Sequence, residues 1–190
     1  DVAFFGGSFT GISLREQEEW LRAAFELKKR GLITGIRLST RPDYITKDIL
    51  ERLHHYGVTT VELGVQSLVN EVLAQSCRGY SSETVLQATR LIREFPFELV
   101  YQLMPGLPGD TMETAGQSAV RTVLAAPEGV RIYPALILKG TTLARWYDEG
   151  NYLPWPLERA VEVGADWLAL FSLYGIKVIR MGLQASKNLD

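Results

Sequence analysis

Short apolar segments alternate with longer amphipathic ones along the chain, and this alternation constrains the fold more than any other feature. Six segments have the length and apolar pattern of strands: residues 2–5, 35–39, 60–65, 98–103, 130–138 and 177–181. Helices are predicted between them, at residues 13–30, 47–56, 69–75, 81–94, from Asp110 onward, at 141–147 and at 156–174. Repeated strand–helix units predict parallel strands with right-handed helical connections. The fold class is therefore α/β, either an open doubly wound sheet or a complete or partial barrel.

Two of the predicted helices carry N-terminal signals. Ser13 and Glu16 have the spacing of a capping box, and Asp110 with Glu113 has an acidic version of it. The first helix is predicted to bury an apolar stripe, made of Trp20, Leu21, Ala24, Phe25 and Leu27.

The strand sequences favour a barrel with a polar interior. The third predicted strand alternates two sets of residues, an apolar set of Val61, Leu63 and Val65 and a small or polar set of Thr60, Glu62, Gly64 and Gln66. Strands of an open parallel sheet have helices on both sides and should be apolar on both faces. An alternative interpretation is that Arg37 and Arg131 only pair with Glu62 to fill the core, because buried charges need partners.

Composition excludes several classes of protein. Of 190 residues, 46% are hydrophobic and 22% charged, which is typical of a globular protein and not of a disordered one. The net charge of −2 gives no general attraction for nucleic acid, and no apolar run is long enough to span a bilayer. Cys77 is the single cysteine, which favours a reducing cytoplasm. It is expected to be a buried or half-buried thiol, and alone it cannot hold zinc or an iron–sulfur cluster.

Glycines and polar residues gather where the predicted strands end. In folds built from strand–helix units, ligands bind at the carboxyl ends of the strands. Candidate residues at these ends are Gly6, Gly7, Ser8, Phe9, Ser39, Arg41, Glu62, Gln66, Gln102, Met104, Pro105 and Tyr133. Each group alone is typical of ordinary turns, but together they predict one ligand site. The Gly-, Pro-, Trp- and Tyr-rich segment 137–158 either covers this site or packs elsewhere on the surface.

Five motifs carry a resemblance to a known family. They are FFGGSFTG, LSTRPDYI, VELGVQSL, CRGY and LMPGLPGDT, in this order along nearly the whole chain. Together they resemble radical S-adenosylmethionine (SAM) enzymes, in the branch of the Elongator catalytic subunit and its bacterial relatives. The coproporphyrinogen dehydrogenase branch is similar but less close. The resemblance implies a partial (β/α)6 TIM-like barrel.

The resemblance also implies roles for the candidate residues. Gly6 and Gly7, with Ser8 and Phe9 after them, would let backbone approach the methionine amino group of SAM. Ser39 and Arg41 match positions near the ribose and carboxylate, and Arg78 matches an arginine that pairs with the SAM carboxylate. Glu62 and Gln66 match interior positions of the barrel. The adenine side is matched by Gln102, Met104, Pro105 and Tyr133.

In the family, a [4Fe–4S] cluster donates an electron to SAM, and the resulting 5′-deoxyadenosyl radical takes hydrogen from a substrate. The resemblance therefore implies SAM and the cluster as cofactors, and an electron donor such as flavodoxin or ferredoxin. RNA enters as a partner only by analogy with Elongator, and no membrane association is implied.

The family's cluster-binding CxxxCxxC motif is not in this sequence. Because the first predicted strand matches the second strand of the family, residues 1–190 are expected to be one radical SAM core domain that lacks its first strand–helix unit. A C-terminal extension is also expected to be absent. The chain by itself is then expected to be inactive in radical chemistry.

Two alternatives remain open at this stage. One is a non-catalytic SAM-binding module that has lost the cluster. The other is an ordinary barrel lyase, which needs a strand lysine such as Lys139 or Lys177. His54 and His55 lie together at a helix end, where they are expected to be solvated and not to bind metal.

Overall fold

The computed structural model describes residues 1–183 and shows a curled half-barrel of six parallel strands. The strands are β1 (Val2–Phe4), β2 (Ile36–Thr40), β3 (Thr60–Gln66), β4 (Glu98–Leu103), β5 (Gly129–Ile132) and β6 (Lys177–Met181). They follow one another across the sheet in chain order. A doubly wound sheet reverses its order at a switch point, so the sequential order confirms the partial barrel.

Helices connect the strands as the sequence predicts. They are α1 (Leu14–Lys29), α2 (Lys47–His55), α3 (Asn70–Gln75), α4 (Ser82–Ile92), α5 (Met112–Ala125), α6 (Thr142–Asp148) and α7 (Leu157–Leu173). Among residues 1–183, no helix has both the length and the apolar character needed to cross a membrane.

The core lies between the outer face of the sheet and the helices. Leu38, Val61 and Leu63 are fully buried there, and Leu21 and Ala24 of α1 pack into the same core. Trp20 does not belong to the buried stripe, because 56% of it is exposed at the open edge of the sheet. In β3, the alternation of apolar and polar residues determines the two faces: the apolar residues face the helices, and the polar residues face the barrel interior.

The first strand is shorter and more exposed than predicted. It ends at Phe4, and Phe5 is 52% exposed. Since β1 pairs with β2 on one side only, its residues have less cover than those of the central strands. The expectation of a buried strand at residues 2–5 is wrong for this reason.

The fifth strand and one helix cap also differ from the predictions. The strand ends at Ile132, and Pro134 two residues later lacks the N–H that a continuing ladder needs. Thr111, and not Asp110, caps α5, and it forms a capping box with Thr114. Asp110 instead accepts a hydrogen bond from the backbone N–H of Gly106 at 2.8 Å. The predicted capping box of Ser13 and Glu16 is confirmed.

The segment 137–158 packs partly onto the loop between β4 and α5. The Tyr152 hydroxyl donates to the carbonyl of Gly106 at 2.6 Å, and Trp155 Nε1 donates to the carbonyl of Asp110 at 3.3 Å. Leu138, near the start of the segment, reaches the cavity at the strand ends. The segment therefore packs against the β4–α5 loop, and Leu138 is the one residue of 137–158 that lines the cavity.

Candidate functional site

A cavity of about 1160 Å³ lies at the carboxyl ends of the strands. The structure brings most of the predicted site residues to its wall: Gly6, Gly7, Ser8, Ser39, Arg41, Gln66, Arg78, Gln102 and Tyr133. These residues come from segments up to 127 positions apart in the sequence, Gly6 to Tyr133. Their convergence on one wall is the arrangement that a βα fold produces at its ligand-binding edge.

Four predicted residues lie behind the wall and not on it. Phe9 is buried and stacks on Phe4, with ring centroids 4.8 Å apart. Glu62 is fully buried beneath the cavity. Met104 packs against a small apolar cluster next to Arg78, and Pro105 is buried, with its carbonyl accepting from Ala135. Their cofactor contacts stay predictions.

Bare backbone at Gly6 and Gly7 opens one side of the cavity. A Cβ added to either glycine would meet no atom within 4 Å, and Gly6 has a φ of +100° that side chains rarely adopt. Ser39 Oγ donates to the carbonyl of Gly7 at 3.1 Å and holds this stretch against β2. The wall here consists of backbone that a ligand can approach closely.

A buried carboxylate organises the cavity floor. Glu62 accepts hydrogen bonds from Arg131 Nε at 2.8 Å and from Gln102 Nε2 at 3.0 Å. Arg37 Nη1 lies 3.4 Å from the same carboxylate. Burial lowers the pKa of Arg131, but the hydrogen bonds and the negative charge of Glu62, together with Tyr133, outweigh this and raise it. The predicted polar interior is therefore confirmed, and so is the internal ion pairing offered as its alternative.

A second group of polar residues surrounds Arg78. Arg41 binds Asp43 through two hydrogen bonds of 2.9 and 2.8 Å and donates to the carbonyl of Arg78 at 2.8 Å. Arg41 also lies over the ring of Tyr80, at 5.1 Å from its centroid. The Tyr80 hydroxyl donates to the carbonyl of Gly64 at 2.7 Å, and burial raises its pKa to about 12. These contacts fix the backbone that carries Arg78.

The Arg78 side chain itself is poorly satisfied. Its Nε is buried and has no hydrogen-bond partner among residues 1–183, and its Nη2 meets only the sulfur of Met104, at 3.4 Å. Burial lowers its pKa, and the nearby positive charge of Arg41 lowers it further. A guanidinium in this state favours an anionic partner from outside the described residues, because an unpaired buried donor is costly.

Gln66 lies at the end of β3 in a left-handed conformation, with a φ of 64°. The pairing of β3 with β4 is irregular between Gly64 and Gln66. The side chain consequently folds back over Gly64, where an added Cβ would lie 2.9 Å from Gln66 Nε2. Backbone strain of this kind is often found at functional sites.

Sequence reasoning missed several residues of the wall: Phe5, Thr40, Tyr80, Leu138, Arg180 and Leu183. It placed Gly64 on the interior face of β3 without including it among the site residues. It placed Arg131 in the interior but did not include it among the site residues. Tyr80 follows Arg78 closely in CRGY, so this motif could have indicated it. Arg180 reaches the wall through a β-bulge, which no local sequence signal marks.

Other candidate residues lie away from the cavity. Cys77 is exposed, with a φ of 52°, so the expectation of a buried or half-buried thiol is wrong. Lys139 and Lys177 are exposed and do not line the cavity, and His54 and His55 are exposed at the end of α2. No group of three or more His, Cys, Asp or Glu side chains within residues 1–183 is placed to hold a metal ion.

Two family models and several known proteins match this chain. The family described as "Radical SAM superfamily" matches residues 1–119, and the "Radical_SAM C-terminal domain" matches residues 127–189. A tRNA uridine(34) acetyltransferase of Dehalococcoides mccartyi is 35% identical over 143 residues. That alignment covers 74% of this chain but only 31% of the relative, so the chain spans less than a third of that protein.

Two solved structures share the fold. An archaeal Elp3 from Methanocaldococcus infernus has a TM-score of 0.82 at 24% identity, covering 96% of this chain and 50% of that one. Coproporphyrinogen III oxidase (HemN) of Escherichia coli, described as a radical SAM enzyme, has a TM-score of 0.71 at 18% identity. It covers 91% of this chain and 40% of the other.

Proposed function

The chain belongs to the radical SAM superfamily of enzymes, and on that premise we propose that the cavity at its strand ends binds SAM. The family uses SAM together with a [4Fe–4S] cluster. Bound together, they would supply radical chemistry that removes a hydrogen atom from a substrate. The residues of this chain would hold and orient SAM and exclude water from it.

The observation that carries this proposal is the unsatisfied guanidinium of Arg78 on the cavity wall. Two other arginines of the wall already have carboxylate partners. Arg41 binds Asp43, and Arg131 binds Glu62. Arg78 has a buried Nε without a partner, in a position that matches the family's carboxylate-binding arginine. A planar fork of donors fits the carboxylate of the methionine part of SAM.

The rest of the wall suits the other parts of SAM. The open backbone at Gly6 and Gly7 offers carbonyl acceptors to an ammonium group, with Ser8 beside them. Ser39, Gln66 and Gln102 would position the ribose or a substrate, with Glu62 holding Gln102 from beneath the cavity. Tyr133 would form the adenine side, with Met104 and Pro105 behind it, and Phe9 would support the glycines from behind.

The residues of this chain do not fit the cluster. A [4Fe–4S] cluster needs three or four cysteine thiolates, whereas the sequence contains only Cys77, which is exposed. We therefore expect reconstitution of residues 1–190 with iron and sulfide to give no visible iron–sulfur absorption. Appearance of a stoichiometric cluster would contradict this assignment.

The proposed core domain includes all six strands of the described sheet. The first family match ends within α5 and the second begins just after it, yet β4 of the first is paired with β5 of the second, with Gln102 opposite Arg131. For the complete protein, we extend the proposal by analogy to RNA as a partner, to an electron donor such as flavodoxin or ferredoxin, and to a bacterial cytoplasmic setting. A lyase has less support, because Lys139 and Lys177 lie off the cavity wall.

Direct binding tests the proposal. Titration of the full chain with SAM by calorimetry should give one site, and Arg78→Gln should weaken binding at least tenfold, since a charge-assisted pair is lost. Arg22→Gln, at an exposed arginine of α1, is the matched control and should leave the affinity unchanged. Absence of SAM binding by the wild type, or equal binding by Arg78→Gln, would overturn the assignment.

A further inference from the structure

The wall of the cavity carries more positive charge than one SAM carboxylate requires. Four arginines line it, Arg41, Arg78, Arg131 and Arg180, and no Asp or Glu is among the described residues that line it. Asp43 neutralises Arg41, and Glu62 lies against Arg131 from below. Within residues 1–183, no carboxylate oxygen lies within 4.0 Å of a nitrogen of Arg78 or Arg180.

The charge of Glu62 is already shared. Its carboxylate faces Arg37 at 3.4 Å as well as Arg131 at 2.8 Å. Arg37 has other acidic neighbours, but they are more distant and partly exposed, at 3.6 Å for Glu98 and 3.8 Å for Asp1. Glu62 therefore leaves no negative charge to offset Arg180.

A β-bulge places Arg180 on the cavity wall. Val130 pairs with Val178, but Arg131 pairs with Arg180, so β6 contains one extra residue, Ile179, at this point. Without the bulge, Arg131 would pair with Ile179 and Arg180 would turn to the opposite face. Gly129 has no side chain where Ile179 packs, which gives this arrangement room. Bulges often redirect a side chain next to an active site.

When no ligand is bound, the pairing of two arginines on neighbouring strands costs electrostatic free energy. Gln102, Arg131 and Arg180 occupy adjacent positions across β4, β5 and β6, so two arginine residues are paired on neighbouring strands. Strands are about 4.8 Å apart, and like charges directly opposite each other destabilise a sheet. An anion bound between the two arginines removes that cost.

We propose that Arg180, beside Arg131, binds an anionic group, carboxylate or phosphate, of a second molecule held next to SAM. This rests on the proposed function, which assigns Arg78 to the carboxylate of SAM. The substrate on which the enzyme acts is therefore an anion, oriented by the β5–β6 side of the cavity.

Calorimetry on the full chain tests this with two probes, inorganic phosphate and malonate, each titrated with and without saturating S-adenosylhomocysteine. We expect the wild type to bind at least one probe in the presence of S-adenosylhomocysteine. Arg180→Gln should weaken that binding at least tenfold, and Arg180→Lys should weaken it less, because it keeps the charge but loses the fork. Arg22→Gln should change it less than twofold, and near-ultraviolet circular dichroism checks that each variant is folded.

The outcomes separate the two proposals. If the wild type does not bind S-adenosylhomocysteine, the SAM site is refuted. The titration of phosphate or malonate without S-adenosylhomocysteine still tests Arg180. The anion site is overturned if neither probe binds, if Arg180→Gln binds as the wild type does, or if the probe depends on Arg78 instead. A preference for phosphate or for malonate identifies the anionic group of the substrate.

Discussion

Glu62 and Arg131 form a hydrogen-bonded ion pair inside the half-barrel, with Nε 2.8 Å from Oε2 and Nη2 3.1 Å from Oε1. Glu62 is fully buried, and the side chain of Arg131 is only 12% exposed. Because Arg37 faces the same carboxylate, one negative charge holds two guanidiniums in place. The pair therefore determines both the stability of the interior and the position of the cavity floor.

Glu62→Gln should lower the free energy of unfolding by about 3 kcal/mol, because it leaves Arg131 and Arg37 without their shared counter-ion. Urea unfolding followed by circular dichroism measures this. Glu98→Gln is the matched control: it removes an exposed carboxylate 3.6 Å from Arg37 and should cost less than about 1 kcal/mol. Equal effects of the two substitutions would show that burial of the pair is unimportant.

Gly7→Val should lower SAM affinity at least tenfold while leaving the stability of the fold nearly unchanged. A Cβ at this position meets no protein atom within 4 Å, so the valine would project into open space that borders the cavity where the ligand is proposed to lie. Calorimetric titration and urea unfolding give the two readouts. Gly116→Val, at an exposed position on α5, should not affect binding. A Gly7→Val variant that binds SAM normally would place the ligand elsewhere.

Tyr80 should make the stability depend on pH in alkaline solution. Burial raises its pKa to about 12 from a reference of 10.0. Its stabilising contribution is fully present below pH of about 10, and it is lost as pH rises to about 12, because the unfolded chain releases its proton first. Urea unfolding across this range should show a loss of stability that is about 1–2 kcal/mol smaller in Tyr80→Phe than in the wild type. Some loss should remain in this variant, because burial also raises the pKa of Tyr101 and of Tyr152. Tyr147→Phe, at an exposed tyrosine, should keep the wild-type dependence.

The alternation of residue types in β3 made the barrel predictable, because a period of two assigns each residue to one face whatever the rest of the fold does. Glu62 and the arginines near it could thus be placed in the interior from the sequence alone. The end of β5 was predicted wrongly, because the apolar residues after Ile132 extend the strand pattern through Pro134. An apolar run does not by itself show where backbone pairing stops.

The residues that were missed depend on backbone geometry and not on residue type. Arg180 faces the cavity only because Ile179 is an extra residue in β6, and this depends on pairing with β5, which is distant in sequence. Trp20 fits the apolar stripe of α1 by spacing, yet it lies at the open edge beyond β1. Such differences arise from long-range contacts that a local pattern does not contain.

The N-terminus of α5 is capped by Thr111 and not by the acidic residue before it. Asp110 and Glu113 have the right spacing, but Asp110 is held by the N–H of Gly106, so Thr111 supplies the cap by accepting from the N–H of Thr114 at 3.2 Å. Thr111→Ala should therefore cost about 1 kcal/mol in the free energy of unfolding, as loss of a helix cap does. Glu113→Ala, which removes only an exposed contact to Gln117, should cost less than about 0.5 kcal/mol. If Glu113→Ala proved the more destabilising of the two in urea unfolding, the acidic cap predicted from the sequence would be correct and Thr111 would not be the cap.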